Sequence, residues 1–299
     1  MNSISKNILY GLLLLGLVVA PFVGLYPVLV MKLLCFALFA SAFNLLLGYT
    51  GLLSFGQGIF FGLGSYTVAL MLSRWAVPMP LALLLATLMG ALGAALVGWV
   101  AIRQRGTYFV MLTLAFSQMA YYVFHDTKVG GGSDGIYLYF RPEPALGGGL
   151  LFDLSSDTAF YFFALACLAL GWLFIGMLRR SPFGAALAGI RISEQRMRAA
   201  GYDTYPYKLM AYVLAGMLAG LAGFLYALKD GFVTPELLAW EQSGLALLMV
   251  ILGGLRRPGG AVLGAASLVL LQELFQSEAV FGAYAQHWHL SLGLAIIAL

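Results

Sequence analysis

The chain has 299 residues, of which 62% are hydrophobic and only 9% charged, with 37 glycines and a formal net charge of +4. Soluble domains carry roughly 25% charged residues, so this composition excludes a soluble globular protein, and so small a basic excess calls for no nucleic-acid partner. The two cysteines, Cys35 and Cys167, both lie inside apolar runs, where they behave as small hydrophobes and build neither a disulfide framework nor a metal centre.

Apolar runs approaching the ~20 residues needed to cross roughly 30 Å of hydrocarbon lie at 8–26, 28–48, 58–73, 79–100, 107–124, 158–178, 208–228, 241–255, 260–276 and 287–299. They predict an all-α, polytopic transmembrane helical bundle of about nine to ten spans, in one domain over residues 1–299. The first run follows Lys6 and carries Pro21 directly after Val18-Val19-Ala20. Its immediate continuation into the next run favours a retained helix over a cleaved signal. The last run stops at Leu299, short of a comfortable crossing, and is expected to be incomplete.

Between the second and third runs the segment Asn44-Leu45-Leu46-Leu47-Gly48-Tyr49-Thr50-Gly51-Leu52-Leu53-Ser54-Phe55-Gly56-Gln57-Gly58 interrupts apolar helix with glycine and polar side chains. Irregular backbone at membrane depth persists only where protein or a water-filled cavity satisfies it, and such breaks serve substrate paths. Asn44, Thr50, Ser54 and Gln57 are therefore candidate path-lining residues. A plain turn between two helices is the competing reading. Gly58 with Gly62 repeats a small-residue spacing used for close helix packing.

The stretch 125–157 is expected to be an external loop. It carries the glycine-rich Gly132-Ser133-Asp134-Gly135, then Arg141-Pro142-Glu143-Pro144 and Gly147 to Gly149. A long loop of this kind is either a docking surface or a linker. His125, His287 and His289 lie in or near outer loops, and the His-x-His pair lacks a third metal ligand.

Residues 179–207 form a polar segment between two apolar runs. Pro182 suits a first helical turn and Gly201 a C-terminal stop. Phe183, Leu187, Ile190 and Met197 fall on one face of one short amphipathic helix. Such a helix docks a partner, or the segment is a basic loop that only fixes topology. The next run carries Ala211, Ala215, Ala219 and Gly223, with Gly216 and Gly220, again at packing intervals. A second glycine interruption, Gly253 to Gly260, encloses Arg256-Arg257.

With a cytoplasmic N-terminus, Lys6, Arg103, Arg105, Arg179, Arg180, Arg191, Arg196, Arg198, Lys208, Arg256 and Arg257 fall inside, which is most of the sixteen basic residues. Positive residues prefer that side. No P-loop, nucleophile–base arrangement or metalloprotease helix is present. Glu241 and Glu273 sit near outer boundaries, whereas ion-coupled carriers usually place acids near the midplane. The energy source is expected to belong to another polypeptide.

The run Ala42 to Gly58 resembles the signature of the branched-chain amino-acid ABC importer permeases. So do Gly132-Ser133-Asp134-Gly135-Ile136, Ser181-Pro182-Phe183-Gly184, and Tyr207-Lys208-Leu209 through Gly223. Their order is most similar to the M-type subunit. The resemblance implies a permease without a cofactor of its own, paired with a second, H-type permease. It also implies two ATP-binding subunits that hold ATP and Mg, an external substrate-binding protein, and surrounding lipid of a bacterial cytoplasmic (inner) membrane. It assigns ATPase coupling to Ser181, Pro182, Phe183, Gly184, Arg191, Glu194, Arg198, Ala199, Ala200 and Gly201. Binding-protein docking falls to Gly132, Ser133, Asp134 and Gly135. The same machinery carrying urea, short amides or aromatic acids is an alternative, and an autonomous channel or secondary carrier is another.

Overall fold

The computed structural model describes residues 27–75, 77–138, 145–146, 149–150, 156–255, 258–276 and 288–298. The apolar run 8–26, the Arg141-Pro142-Glu143-Pro144 stretch, Arg256-Arg257 and His287 lie outside the described residues.

Helix α1 (Pro27–Asn44) passes without a break into one turn and a half of π-helix, Leu45–Thr50. Its sequence is apolar on every side rather than along one stripe, and such a helix has to be surrounded. The span Pro27–Thr50 is 83% buried within the protein, and helices α5 (Asp157–Arg180), α8 (Thr204–Asp230), α9 (Trp240–Gly253) and α10 (Pro258–Gln276) pack around it. Helices α2 (Gln57–Trp75) and α3 (Met79–Ala101) complete the core against α8. At the other extreme, α4 (Thr107–Asp126) is only 17% buried, so most of its surface faces away from this chain.

The small residues explain how the core helices approach. A Cβ on Gly90 of α3 would stand 2.6 Å from the Gly216 carbonyl of α8, and one on Gly98 would stand 2.8 Å from the Tyr212 ring. Gly64 of α2 meets the Gly220 backbone in the same way, as does Gly223 of α8 with Phe61 of α2. Between α9 and α10, Gly253 abuts Gly260. The packing role expected for Gly216, Gly220 and Gly223 holds, and Gly64, Gly90 and Gly98 are the partners the sequence did not point out.

Six described helices are long and apolar enough to cross a membrane, among them α3, α4, α5 and α8. The run expected at 241–255 is among the shorter apolar helices. It forms the 14-residue α9, about 21 Å at 1.5 Å per residue, which begins after a 3₁₀ turn, Pro235–Leu238. Short as it is, α9 does not cross the hydrocarbon alone. The molecule is a polytopic α-helical membrane protein.

Its two ends differ. At one end, the α3–α4 turn (Arg103, Arg105), the end of α5 (Arg179, Arg180) and helices α6 (Pro182–Ile192) and α7 (Glu194–Ala199) gather basic residues. At the other end, strand β1 (Ile136–Tyr137) pairs antiparallel with β4 (Phe232–Val233), a pairing that joins the loop after α4 to the end of α8. Strands β2 (Ala145–Leu146) and β3 (Gly149–Leu150) make a small hairpin in the same loop. Because α5 runs from Asp157 to Arg180, the described residues just before it and the 181–207 segment after it lie at opposite ends of that helix.

Candidate functional site

The break between α1 and α2 runs from an exposed Gly51 to a fully buried Ser54. Tyr212, its neighbour, stands eight residues into α8, about 12 Å from that helix's start at 1.5 Å per residue. The polar groups of the break are satisfied by three other helices. Ser54 Oγ lies 2.9 Å from the Tyr212 hydroxyl, and the Phe55 N–H donates to Thr113 Oγ1 of α4 at 3.2 Å. Ser243 of α9 accepts from the Gly58 N–H at 2.8 Å and donates to the Phe55 carbonyl at 2.7 Å. Side chains of α4 and α9 thus satisfy the Phe55 and Gly58 backbone groups. Gly51 ends the π-helix at φ +76°, a left-handed value that glycine adopts without strain.

Asn44, Thr50, Ser54 and Gln57 are all buried, at 2%, 4%, 0% and 0% exposure. None faces an open path in this conformation. Thr50 turns back to the Leu46 carbonyl of its own helix. Gln57 differs from the others, since both atoms of its side-chain amide are buried without a hydrogen-bond partner.

The basic face holds a welded module. Ser181, Pro182, Phe183 and Gly184 form the corner between α5 and α6. Ser181 caps α6 by accepting from the Gly184 N–H at 3.3 Å, Pro182 takes the first turn, and a Cβ on Gly184 would stand 2.8 Å from Arg179 Cα. The single amphipathic helix expected here is instead two helices, divided at Ser193. Ser193 is extended, at φ −159°, and its hydroxyl accepts from the Arg196 N–H. Serine competes with helix interior by capping, and here the cap wins. Gly201 terminates α7 at φ +87°, with the Tyr202 N–H on the Met197 carbonyl and the Gly201 N–H on that of Arg198. This is a Schellman stop. Ala199, Ala200 and Gly201 are exposed, and nothing stands within 4 Å of where a Gly201 Cβ would be.

Three ties fasten this module to the core. Arg191 donates through Nη1 to the Gly48 carbonyl inside the π-helical turn. The Phe183 ring stacks on Tyr207 of α8 at 5.6 Å. Glu194 Oε1 accepts from Arg198 Nη2 at 2.6 Å, from Thr204 Oγ1 at 2.9 Å and from Lys208 Nζ at 3.0 Å. Partial burial pushes the Glu194 carboxyl upward, but the bonds from Lys208 and Thr204 and the charges of Lys208 and Arg198 outweigh it. The group is held below its ordinary value. Lys208 and Thr204 went unrecognised in the sequence as partners. The available signal was a lysine in the first turns of an apolar helix, because a buried cation requires an acid.

On the opposite face, Gly132, Ser133, Asp134 and Gly135 make a 3₁₀ turn. Ser133 and Asp134 are exposed, and Ser133 Oγ donates to Asp134 Oδ1 at 3.2 Å. Gly135 sits at φ +68° with its Cα against the Val233 carbonyl, where β1 starts. The Tyr137 and Phe232 rings stack at 4.3 Å across the strand pair. Between α4 and the start of α9 a cavity of about 430 Å³ is lined by Gln118, Tyr121, Glu236, Ala239, Glu241 and Gln242. None of these six was singled out as a binding residue from sequence. Among the described residues no group of His, Cys, Asp and Glu could hold a metal ion.

Residues 28–299 match the family model described as the permease component of the branched-chain amino acid transport system. The chain is 32% identical over 254 residues to the high-affinity branched-chain amino acid transport system permease protein LivM of Escherichia coli, and equally so to that of Salmonella typhimurium. Each match covers 78% of this chain and 59% of the relative. A probable branched-chain amino acid transport permease protein LivM of Methanocaldococcus jannaschii is 27% identical over 104 residues, covering 34% of this chain and 30% of that protein. The chain thus spans about three-fifths of the length of the bacterial relatives. No solved structure matches it.

Proposed function

The chain belongs to the family of branched-chain amino acid transport system permease components, and from that premise we propose that it is one permease subunit of an ATP-driven importer of branched-chain or other hydrophobic amino acids. A second permease supplies the other half of the path. Two ATP-binding subunits, which carry ATP and Mg, dock on the basic face in the cytosol. A substrate-binding protein docks on the opposite, external face of the cytoplasmic membrane, where the exposed Ser133 and Asp134 turn is presented.

The observation that carries this reading is the way the 181–201 module is fixed. An element that transmits motion has to be rigid within itself, tied to what it moves, and free on its outer surface. Arg191 ties it to the π-helical break, Glu194 and Phe183 tie it to α8, and the small residues Ala199, Ala200 and Gly201 remain free for a partner. Glu194 and Arg198 thus act chiefly as internal rivets, with the contact surface made by the small residues beyond them. Displacing the module would move the break and α8 together, and those two elements meet again at Ser54 and Tyr212.

The test is reconstitution. In proteoliposomes, this chain with its permease partner, ATPases and binding protein is expected to accumulate L-leucine only with ATP. Arg191→Ala in that complex is expected to keep ATP hydrolysis while losing most uptake. Uptake by this chain alone without ATP, or wild-type uptake by Arg191→Ala at equal abundance, would contradict the proposal.

A further inference from the structure

We propose that the cavity bounded by Gln118, Tyr121, Glu236, Ala239, Glu241 and Gln242 is the outer station of the translocation path and binds the primary ammonium group of the transported amino acid. The inference rests on the importer reading and assigns to it a binding site that the sequence did not disclose.

The lining is unusual for a membrane bundle. At about 430 Å³ the cavity falls within the roughly 300–1,000 Å³ of small-molecule sites. Its polar groups are dominated by acceptors: the carboxylates of Glu236 and Glu241 and the amide oxygen of Gln242. Among the described residues no Lys or Arg lines it. Gln242 Oε1 is buried and has no hydrogen-bond partner. A buried acceptor left unpaired is costly, and an ammonium group, which has three donors and no acceptor, would satisfy it together with the two carboxylates. Acids in a membrane-embedded chain are retained for function more often than for stability.

The cavity also leads somewhere. Ala239 and Gln242 form its wall, and on their far side they press on Gly58, where a Cβ would stand 2.6 Å from the Ala239 carbonyl and 3.4 Å from Gln242 Cβ. Next to Gly58 lies Gln57, fully buried with both amide atoms unpartnered. The contact of α9 with the start of α2 thus links the wall of a negatively lined vestibule to the residue beside a second orphan amide. Ser243, the next residue of α9, holds that contact through Gly58 and Phe55. A shift of the break would join the two, and the ammonium group would pass from the carboxylates toward Gln57.

The experiment uses the complete transporter in proteoliposomes with saturating binding protein, and the probes are L-leucine and 4-methylpentanoate, the same skeleton without the amine. Glu236→Gln with Glu241→Gln is expected to lower L-leucine uptake about tenfold or more, the loss expected when a hydrogen bond to a charged group disappears. Binding-protein-stimulated ATP hydrolysis should stay within about twofold, which also reports an assembled complex. In a separate arm, Gln118→Cys is expected to react with an external maleimide and to be shielded by L-leucine but not by 4-methylpentanoate. Should the double variant lose ATP hydrolysis as well, the single Glu241→Gln variant and the shielding arm decide. Wild-type uptake in the carboxylate variants, or equal shielding by both probes, overturns the inference. So does wild-type uptake that requires sodium over choline, with the requirement lost on Glu→Gln, since the acids would then hold a metal cation. A wild-type complex that moves no L-leucine overturns the importer reading and this inference with it; a working wild type with silent carboxylate variants overturns this inference alone.

Discussion

The Glu194 carboxylate gives the most direct residue-scale expectations. It accepts three hydrogen bonds through one oxygen, and the Lys208 side chain it neutralises is only 7% exposed. Glu194→Gln leaves that ammonium without its counter-charge and should destabilise the purified protein by about 1–3 kcal/mol. Because the folded Glu194 is held below its ordinary value, its contribution is fully present above the unfolded carboxyl range, about 4.3 for glutamate. It is lost as pH falls through the lower folded value. The melting-temperature gap between wild type and Glu194→Gln should therefore be constant near neutrality and narrow only in acid. A gap that narrowed on the alkaline side of neutrality would remove Glu194 as the cause. Gln57 calls for the opposite sign. Its amide is fully buried and unpaired, so Gln57→Leu should raise thermal stability by up to about 1–3 kcal/mol while lowering uptake, if the amide serves the substrate. A variant that is less stable and transports normally would refute both halves.

Elements were legible in the sequence to the extent that their signals are local. Apolar runs marked α1, α3, α4, α5 and α8, and Pro182 and Gly201 marked the ends of the basic-face module, because first-turn and stop residues act within four positions of themselves. Ser193 was missed as a divider, since Ile190, Arg191 and Ile192 continue the helical pattern on its N-terminal side and the cap is visible only once the Arg196 N–H is seen to be its donor. Gln118, Glu236 and Gln242 carry no local pattern at all. They become a site only because α4 packs on the turn before α9, where Ser117 Oγ donates to the Leu238 carbonyl at 2.8 Å. The small-residue spacings were readable as packing signals, but which helix each glycine meets was not. That distinction sets up a paired expectation for helix substitutions. Gly64→Val would drive a branched side chain into the Gly220 backbone, which cannot rotate away, so overpacking of about 1–3 kcal/mol and loss of monodisperse protein in detergent should follow. Gly244 of α9 has nothing within 4 Å of a would-be Cβ, so Gly244→Ala should be neutral or stabilising by up to about 1 kcal/mol. Equal behaviour of the two variants would mean that close approach does not hold α2 to α8.

At the scale of the whole molecule, charge asymmetry and mechanical asymmetry coincide. The end that carries Arg103, Arg105, Arg179, Arg180, Arg191, Arg196 and Arg198 is the end where α6 and α7 are riveted to the break and to α8. The end that carries Asp126, Asp134 and Asp230 is the end where β1 and β4 pair. Basic residues in short loops are retained in the cytoplasm, so the riveted end should face the ATP supply and the acidic end the incoming amino acid. The two native thiols, Cys35 and Cys167, are buried, which leaves a quiet background for labelling from water. Ser133→Cys and Ala200→Cys place a thiol on the exposed turn of one end and on the exposed small-residue tip of the other. In intact cells a membrane-impermeant maleimide should modify Ser133→Cys at once and Ala200→Cys only after permeabilisation. If Ala200→Cys reacted from outside, the module would face away from any cytosolic ATPase, and the riveting of 181–201 to α8 would need a purpose other than receiving the ATPase stroke.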